Sequence, residues 1–215
     1  MATHSPFSPE TLEQARKLGT ATLHEASGLP TTAVDPALRP IWAGASVAGP
    51  AFPVACAPGD NLAIHLAMEQ APRGSLLVVT AAGFLAGYWG EVLTVAAETA
   101  GIAGLVIDGG VRDTAALAIR RFPVFARGIS VRGTRKVCAP SVGQPILLAG
   151  TPVVIGDLVV ADDDGVVIIP AGQVERTMAD GIARAAKEET IMEQLRQGRT
   201  SLDLLGLSRP GADHD

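Results

Sequence analysis

The sequence has few aromatic residues, few lysines and only two cysteines. Aromatic residues make up 4% of the 215 residues, and Lys17, Lys136 and Lys187 are the three lysines. Cys56 and Cys138 have neither C-x-x-C spacing nor neighbouring histidines. This pattern argues against a disulfide framework and a cysteine-based zinc site, and it predicts two reduced thiols in the core of a cytosolic protein.

The sequence also lacks a basic block and a membrane-spanning segment. Its formal net charge is −5, so we expect no nucleic-acid partner. The uncharged runs 41–59 and 137–156 are long enough to cross a membrane, but prolines and glycines interrupt both. The first 19 residues do not resemble a signal peptide. With 47% hydrophobic residues, the composition indicates a folded, cytoplasmic protein that does not contact membranes.

The central part of the chain alternates between strand and helix patterns. The segments SLLVVT, EVLTVAAETA, IAGLVID, RDTAALAIRR and FPVFARG follow one another from Ser75 onwards. This order predicts an α/β fold with a parallel βαβαβ centre. Strands punctuated by glycine and proline flank it, including IWAGASV and FPVACA. We expect one domain over 1–215, with helices in 1–28 that break near Gly19 and a long helix over 171–198.

Two loops at the carboxyl ends of predicted strands carry candidate functional residues. In GFLAGYWGEVL a helix begins after Gly90 and Glu91, and the amides of Val92 and Leu93 are free to bind an anion. In DGGVRDTAAL, the following strand ends near an Arg-Asp pair. Neighbouring parallel strands place both loops at one edge of the sheet, where ligands bind.

The Arg-Asp pair suits a keto acid and a hard cation. Arg112 offers a planar, bidentate donor to a carboxylate, and Asp113 and Glu91 offer the oxygens that Mg²⁺ or Mn²⁺ prefers. Each residue also has an ordinary explanation, because acidic residues often begin helices and Arg-Asp neighbours often form a solvated pair. Their combination at one sheet edge favours a binding site.

Other features carry less information about function. We interpret Asp108 with Gly109 and Gly110 as a tight turn at the end of the strand; the role of Asp108 stays open, with a cap of the turn as one interpretation. The DDDG segment reads as a turn, with a calcium site as the alternative. His24 and His65 read as structural histidines, with a ligand or acid-base role open for His24. No Rossmann, P-loop or serine hydrolase motif occurs.

These segments together resemble a known family. The sequence GYWGEVLTVAAETAGIAGLVIDGGVRD, followed by FPVFARG, GDLVVADDDGVVIIP and KEETIMEQLRQGRTSLDLLGL, resembles the class II, metal-dependent pyruvate aldolases. These enzymes act on 4-hydroxy-4-methyl-2-oxoglutarate and 4-carboxy-4-hydroxy-2-oxoadipate, and they share the RraA-like fold with regulators of ribonuclease E activity. The resemblance implies a layered α/β/β sandwich of the swivelling-domain type.

The resemblance also implies roles for individual residues. Its most specific motif is an acidic residue or glycine, followed by twenty residues and then Arg-Asp. In this chain the motif runs from Glu91 to Arg112 and Asp113. The family usually has Asp where this chain has Glu91. Asp113 would bind a divalent cation, Mg²⁺ or Mn²⁺, directly, and Glu91 would bind it through water. Arg112, with the Gly90–Leu93 segment, would bind the pyruvyl group. Glu188, or alternatively Glu189, would reach the site from a neighbouring subunit.

The implied activity is retro-aldol cleavage that yields pyruvate and a second keto acid, with oxaloacetate decarboxylation as a side activity. The implied assembly is a homotrimer or a hexamer. None of the three lysines is expected in the site, which argues against Schiff-base catalysis. The alternative is a regulator-like, protein-binding module without catalysis. Those relatives characteristically lack the Asp of the Arg-Asp pair, whereas Asp113 is present here, so the enzyme is favoured.

Overall fold

The computed structural model describes residues 5–208. The helices in this part are α1 (Pro9–Ser27), α2 (Leu62–Gln70), α3 (Glu91–Ala100), α4 (Thr114–Arg120), α5 (Val174–Arg196) and α6 (Ser201–Leu205), with short 3-10 helices at Pro30–Thr32 and Ala171–Gln173. The strands are β1 (Arg39–Pro40), β2 (Val47–Ala55), β3 (Leu76–Thr80), β4 (Gly104–Val111), β5 (Val124–Ile129), β6 (Ser141–Val142), β7 (Ile146–Leu148), β8 (Thr151–Val153), β9 (Leu158–Asp162) and β10 (Gly165–Ile169). The two ends of the predicted domain, residues 1–4 and 209–215, lie outside the described residues.

Most strands join one mixed sheet in the order β1-β5-β4-β3-β2-β9-β10. The neighbours β2-β3, β3-β4 and β4-β5 are parallel, whereas β1, β9 and β10 pair antiparallel. Strand β6 pairs with β2, and β7 and β8 form a separate hairpin. The parallel βαβαβ centre over β3, α3, β4, α4 and β5 confirms the predicted fold class.

Alternation along the central strands separates two hydrophobic clusters. Val79 and Ile107 belong to the cluster that includes residues of α2, α3 and α4. Val78 and Val106 belong to a second cluster, with residues from β7 to β10. Successive strand side chains point to opposite faces, so one sheet buries both sides. Helices α1 and α5 then cover the other face of β9 and β10, which adds a helical layer to the predicted α/β/β arrangement.

Strand β2 differs from the sequence prediction of two short strands separated at Gly49 and Pro50. It is continuous over Val47–Ala55 and changes partner in the middle, from β9 before Ala51 to β3 from Ala51 onwards. Pro50, which has no N–H to donate, is the last β2 residue paired with β9 and so lies at the end of that ladder. Glycine is required beside it, since a Cβ at Gly49 would lie 2.9 Å from the Leu76 side chain. The predicted strand over 41–46 is wrong, because these residues are mostly turns.

The terminal helices follow the predicted pattern with local differences. Helix α1 breaks at Gly19, which has φ 77°. Helix α5 buries Val174 and Met178 near its start, but it leaves the apolar residues Ile182 and Met192 further along substantially exposed. Within residues 5–208, no helix combines the length and apolar character needed to span a bilayer.

The two cysteines lie in different environments. Cys56 is buried, and burial raises the pKa of its thiol to about 12. Cys138 is exposed, so the prediction of two core thiols is wrong for Cys138. It lies in the segment 136–140, which has no regular secondary structure and which the hydrophobic pattern of the sequence does not distinguish from a buried strand.

Candidate active site

Strand β4 continues past the point at which the sequence predicts its end. Asp108, Gly109 and Gly110 lie within the strand, and its pairing with β5 shifts at a bulge between Ile107 and Gly110. The Asp108 carboxylate is buried in an ion pair with Arg127. The predicted tight turn over residues 108–110 is therefore wrong, and the role that the sequence left open for Asp108 is an ion pair with Arg127, which sequence spacing does not reveal.

The glycines of β4 allow the preceding loop to cross the strand closely. A Cβ at Gly110 would lie 2.6 Å from the Ala86 carbonyl oxygen, which is too close for any side chain. The Tyr88 N–H also donates to the Gly110 carbonyl at 3.0 Å. Glycine here serves close backbone approach rather than a turn, and it brings the loop after β3 against the end of β4.

The two candidate loops meet where β4 ends. The Arg112 N–H donates to the Trp89 carbonyl at 2.9 Å, and the Glu91 N–H donates to Asp113 Oδ2 at 3.0 Å. Arg112 Nε lies 3.8 Å from the same carboxylate oxygen. The Asp113 side chain is 43% exposed, so it remains accessible while both loops hold it in place.

Local backbone geometry at this junction depends on two residues. Asp113 has φ 58°, in the left-handed region, which a short polar side chain tolerates better than most. Gly90 is extended, so space rather than conformation requires glycine there: a Cβ would lie 2.4 Å from Asp113 Oδ2. The sequence predicts neither constraint, because both arise from the contact between the loops.

The Glu91 side chain does not turn towards Asp113 within the chain. Its Oε1 accepts from Arg120 Nε at 3.2 Å, and Arg120 Nη1 also donates to Glu98 at 3.1 Å. All three side chains are partly exposed. The structure thus places the Glu91 backbone beside Asp113 and its carboxylate in an ion pair with Arg120.

A cleft of about 160 Å³ opens at this junction. The predicted residues Gly90, Val92, Leu93, Arg112 and Asp113 line one wall of it. Within residues 5–208, no oxygen accepts from the amides of the second and third residues of α3, so these two amides are available to a ligand. The structure therefore brings a helix start with two free amides, a guanidinium and a carboxylate to one cleft.

The cleft has a second wall that sequence reasoning did not predict. It is formed by Asn61, His65, Thr134 and Lys136. The expectation that no lysine lies in the site is therefore wrong for Lys136. The helical periodicity of the sequence predicted only a packing role for His65. Nothing in the local sequence links residues 134–136 to α2, which lies about seventy residues earlier.

Glu188 and Glu189 do not line this cleft within the chain. Glu188 Oε1 lies 2.8 Å from Arg184 Nε, and Glu189 Oε1 lies 3.2 Å from Arg196 Nη1. Both belong to the exposed distal half of α5. Whether a neighbouring subunit presents either glutamate to the cleft stays a prediction.

The remaining candidate ligands, His24 and the aspartates of the DDDG segment, form hydrogen bonds with other groups of the same chain. His24 Nδ1 lies 2.8 Å from Thr32 Oγ1, which agrees with a structural histidine. In the DDDG segment, Asp162 accepts from the Thr20 N–H at 2.8 Å and Asp163 accepts from the Gly44 N–H at 2.9 Å. These carboxylates hold backbone groups, as expected for a turn.

The donor set at the junction fits Mg²⁺ or Mn²⁺ with an incomplete protein shell. Over residues 5–208, no group of three or more His, Cys, Asp or Glu side chains is placed to hold a metal ion. Mg²⁺ in enzymes commonly takes only one or two carboxylates and fills its other positions with water and substrate oxygens. The accessible Asp113 meets that requirement by itself, whereas the Glu91 carboxylate pairs with Arg120 and does not line the cleft.

Comparison with known proteins finds sequence similarity to one family. The family model for RraA-like proteins, described as Aldolase/RraA, matches residues 20–168. A protein of Halalkalibacterium halodurans named "Putative 4-hydroxy-4-methyl-2-oxoglutarate aldolase" is 36% identical over 172 residues, which cover 75% of this chain and 82% of that protein.

Two solved structures have the same fold. An uncharacterized protein from Pseudomonas syringae pv. tomato superposes with a TM-score of 0.82 at 27% identity, covering 94% of this chain and 99% of that one. Streptomyces coelicolor RraAS2, described as an unusual member of the RNase ES inhibitor RraA protein family, gives a TM-score of 0.78 at 25% identity, with 87% and 98% of the two chains covered. Because the family model spans more than half of the sequence, this chain belongs to the RraA-like family.

Proposed function

We propose that this protein is a lyase that cleaves 4-hydroxy-4-methyl-2-oxoglutarate, 4-carboxy-4-hydroxy-2-oxoadipate or both by a retro-aldol reaction. The products are pyruvate and a second keto acid, which is pyruvate or oxaloacetate. Oxaloacetate decarboxylation is the expected side activity, because it passes through the same pyruvate enolate. The observation that carries this proposal is the pairing of Arg112 with the accessible Asp113 beside the free amides of Val92 and Leu93.

The first wall of the cleft binds the pyruvyl end of the substrate in this proposal. The two amides donate to the C1 carboxylate, helped by the positive end of the α3 dipole. Arg112 donates to the carboxylate and the 2-keto oxygen, and it stabilises the negative charge that moves onto that oxygen as the C–C bond breaks. These interactions strengthen towards the enolate and so lower the barrier.

In this proposal, carboxylates bind the cation and accept the proton of the substrate hydroxyl. Asp113 would hold Mg²⁺ or Mn²⁺ directly, with Glu91 holding it through water, and the cation would supply Lewis acidity at the 2-keto oxygen. Glu91, with the neighbouring subunit's glutamate, would accept the proton of the C4 hydroxyl through water. As this proton leaves, C4 becomes a carbonyl and the C3–C4 electron pair forms the enolate, which solvent then protonates to pyruvate.

We further propose that the site is completed in a homotrimer or a hexamer. Ile129 and Val131 are strongly exposed next to Arg112 and Asp113, and exposed apolar side chains beside a site favour a subunit interface. The exposed distal half of α5 carries Glu188, our first choice, and Glu189 out of the chain's own core. A neighbouring subunit in contact with this surface would bring its glutamate to the cation waters.

The direct test measures pyruvate release from the two aldol acids and oxaloacetate, with and without EDTA. We expect EDTA to abolish release and Mg²⁺ or Mn²⁺ to restore it, because carboxylates alone do not stabilise the enolate. Metal-independent turnover would contradict the mechanism. Since Lys136 lines the cleft, the same preparations are treated with pyruvate and borohydride. We expect no adduct on Lys136, whereas a trapped adduct would indicate a Schiff base.

The competing function is a protein-binding regulator without catalysis. The similarity to Streptomyces coelicolor RraAS2 supports that class through the fold. The accessible Asp113 favours the enzyme, because a protein-binding role gives no reason to keep a carboxylate in a small polar cleft. Failure of pyruvate release from all three substrates under every metal condition would favour the regulator.

A further inference from the structure

The second wall of the cleft has no part in the chemistry proposed above. We call Asn61, His65, Thr134 and Lys136 the Lys136 wall. Only Asp113 among the cleft residues carries a negative charge, and it belongs to the first wall. The Lys136 wall therefore adds a cation to a cleft that already holds Arg112.

The backbone on both sides of Lys136 is held in place against the start of α2. The Arg135 N–H donates to the Gly59 carbonyl at 2.8 Å, and the Arg135 carbonyl accepts from Asn61 N–H at 3.0 Å. The Val137 N–H donates to Asp60 Oδ2 at 2.8 Å. A segment without regular secondary structure is thus fixed by hydrogen bonds, which is typical of a binding wall rather than a loose surface loop.

Several polar atoms of the wall have no partner within the described residues. Within residues 5–208, no carboxylate pairs with the Lys136 amine. Asn61 is 4% exposed, and its Oδ1 is buried without a hydrogen-bond partner although its Nδ2 donates to the Tyr88 carbonyl. His65 Nε2 is also buried without a partner. Unsatisfied buried polar groups are costly, so their presence in one wall indicates a functional constraint.

The wall carries one positive charge. Burial, with the nearby Lys136 amine, lowers the pKa of His65 below its ordinary value of 6.5. His65 is consequently neutral at neutral pH and adds hydrogen-bonding capacity without charge. Lys136 and the Nε2–H form of His65 supply the donors that one carboxylate requires, whereas the unpartnered Asn61 Oδ1 is an acceptor and does not bind it.

We propose that the Lys136 wall binds the second carboxylate of a dicarboxylic 2-oxo acid, and that Lys136 makes the cleft select such acids over those with one carboxylate. This inference rests on the proposed function, which assigns the 2-oxo acid end to Arg112. The size of the cleft agrees with it, because 160 Å³ is below the ~300 Å³ typical of larger ligands. A short acid with a carboxylate at each end could therefore bind Arg112 with one carboxylate and Lys136 with the other.

The test compares the binding of 2-oxoglutarate and 2-oxopentanoate, which have the same chain length and differ in the second carboxylate. Calorimetric titration uses the full-length protein with Mg²⁺. We expect 2-oxoglutarate to bind about tenfold more tightly to the wild type, since a charge-assisted contact is gained. In Lys136→Met the preference should disappear, and in Lys136→Arg it should largely remain. Lys17→Met, at a surface pair with Glu13, is the matched control and should keep the preference.

The outcomes separate this inference from the proposed function. Equal affinities in the wild type, or an unchanged preference in Lys136→Met, would overturn the inference even if pyruvate release is normal. A preference that is lost in Lys136→Met supports the inference even if no aldol substrate is cleaved, in which case the proposed function alone fails. Thermal unfolding checks that Lys136→Met is folded, which we expect because the hydrogen bonds that hold residues 135 and 137 do not use the Lys136 side chain.

Discussion

Arg120 Nε lies 3.2 Å from Glu91 Oε1 and joins the end of α4 to the first residue of α3. This ion pair occupies one oxygen of the carboxylate that, in the proposed mechanism, binds the cation through water. Arg120 also pairs with Glu98, so its position does not depend on Glu91 alone. If the proposed mechanism holds, the guanidinium and the cation would compete for the same carboxylate.

We expect Arg120→Met to bind Mn²⁺ more tightly than the wild type. A partly exposed ion pair contributes about 0.2–1 kcal/mol, so the gain should not exceed about fivefold. Titration of Mn²⁺ by electron paramagnetic resonance measures it. Arg121→Met, one residue further along and outside this pair, is the control and should bind Mn²⁺ as the wild type does. Weaker binding in Arg120→Met would show that Arg120 positions Glu91 rather than competing for it.

Replacing Asp113 separates its charge from its backbone role. Asparagine tolerates the left-handed conformation and its amide oxygen can accept from the Glu91 N–H, so Asp113→Asn should keep the oligomer and the melting temperature. Pyruvate release should fall at least about 100-fold, because the direct cation ligand loses its charge. Asp113→Ala should lose activity similarly and should also melt earlier, with the oligomer intact. Wild-type turnover in Asp113→Asn would rule out the ligand assignment.

The stability of the Lys136 wall should depend on the ionisation of Asp60. Burial acts to raise the pKa of Asp60, but hydrogen bonds from the Leu62, Val137 and Cys138 amides and the Arg135 charge outweigh it, so the pKa lies below 3.8. A lowered folded-state pKa stabilises the protein above the unfolded value, and this contribution is lost as the pH falls through the folded-state pKa.

Urea unfolding of the wild type and Asp60→Asn tests this expectation. The difference in free energy of unfolding should be constant from about pH 7 to about pH 5 and should shrink below about pH 4. Asp164→Asn, at an exposed turn, is the matched control and should show little difference at any pH. A difference for Asp60→Asn that grows on acidification would contradict the assigned direction.

A mixed oligomer tests whether the neighbouring subunit's Glu188 completes the site. We expect Asp113→Asn and Glu188→Gln to be nearly inactive alone, since each removes one half of a shared site. Co-expressed at equal amounts, they should restore about one quarter of wild-type activity, because one site in four then combines an intact Asp113 with an intact Glu188.

Matched variants on the same helix identify the residue. Glu193→Gln removes an exposed carboxylate that pairs with Arg196 and should remain active. If Glu189→Gln, and not Glu188→Gln, is inactive alone and regains activity with Asp113→Asn, the role belongs to Glu189. No recovery with either glutamate variant would show that the site does not cross the subunit boundary.

The sequence alone determined the central architecture and the first wall of the cleft. Alternating strand and helix patterns fix a parallel order, and a parallel order requires the loops after β3 and β4 to lie at one edge. Arg112 and Asp113 could therefore be placed beside the start of α3. Apolar periodicity also located α3 and β3 correctly, because both are dominated by local pattern and burial.

Only the tertiary structure decided the contacts between distant segments. The Asp113 side chain leaves no space for a Cβ at position 90, and Asp108 pairs with the charge of Arg127. Strand β2 stays continuous because it exchanges β9 for β3 as its partner. The Lys136 wall depends on Asp60 binding a segment more than seventy residues away. A sequence pattern records the environment of neighbouring residues, whereas the close packing of remote segments decides which charges are paired, which glycines are needed and which polar atoms are left for a ligand.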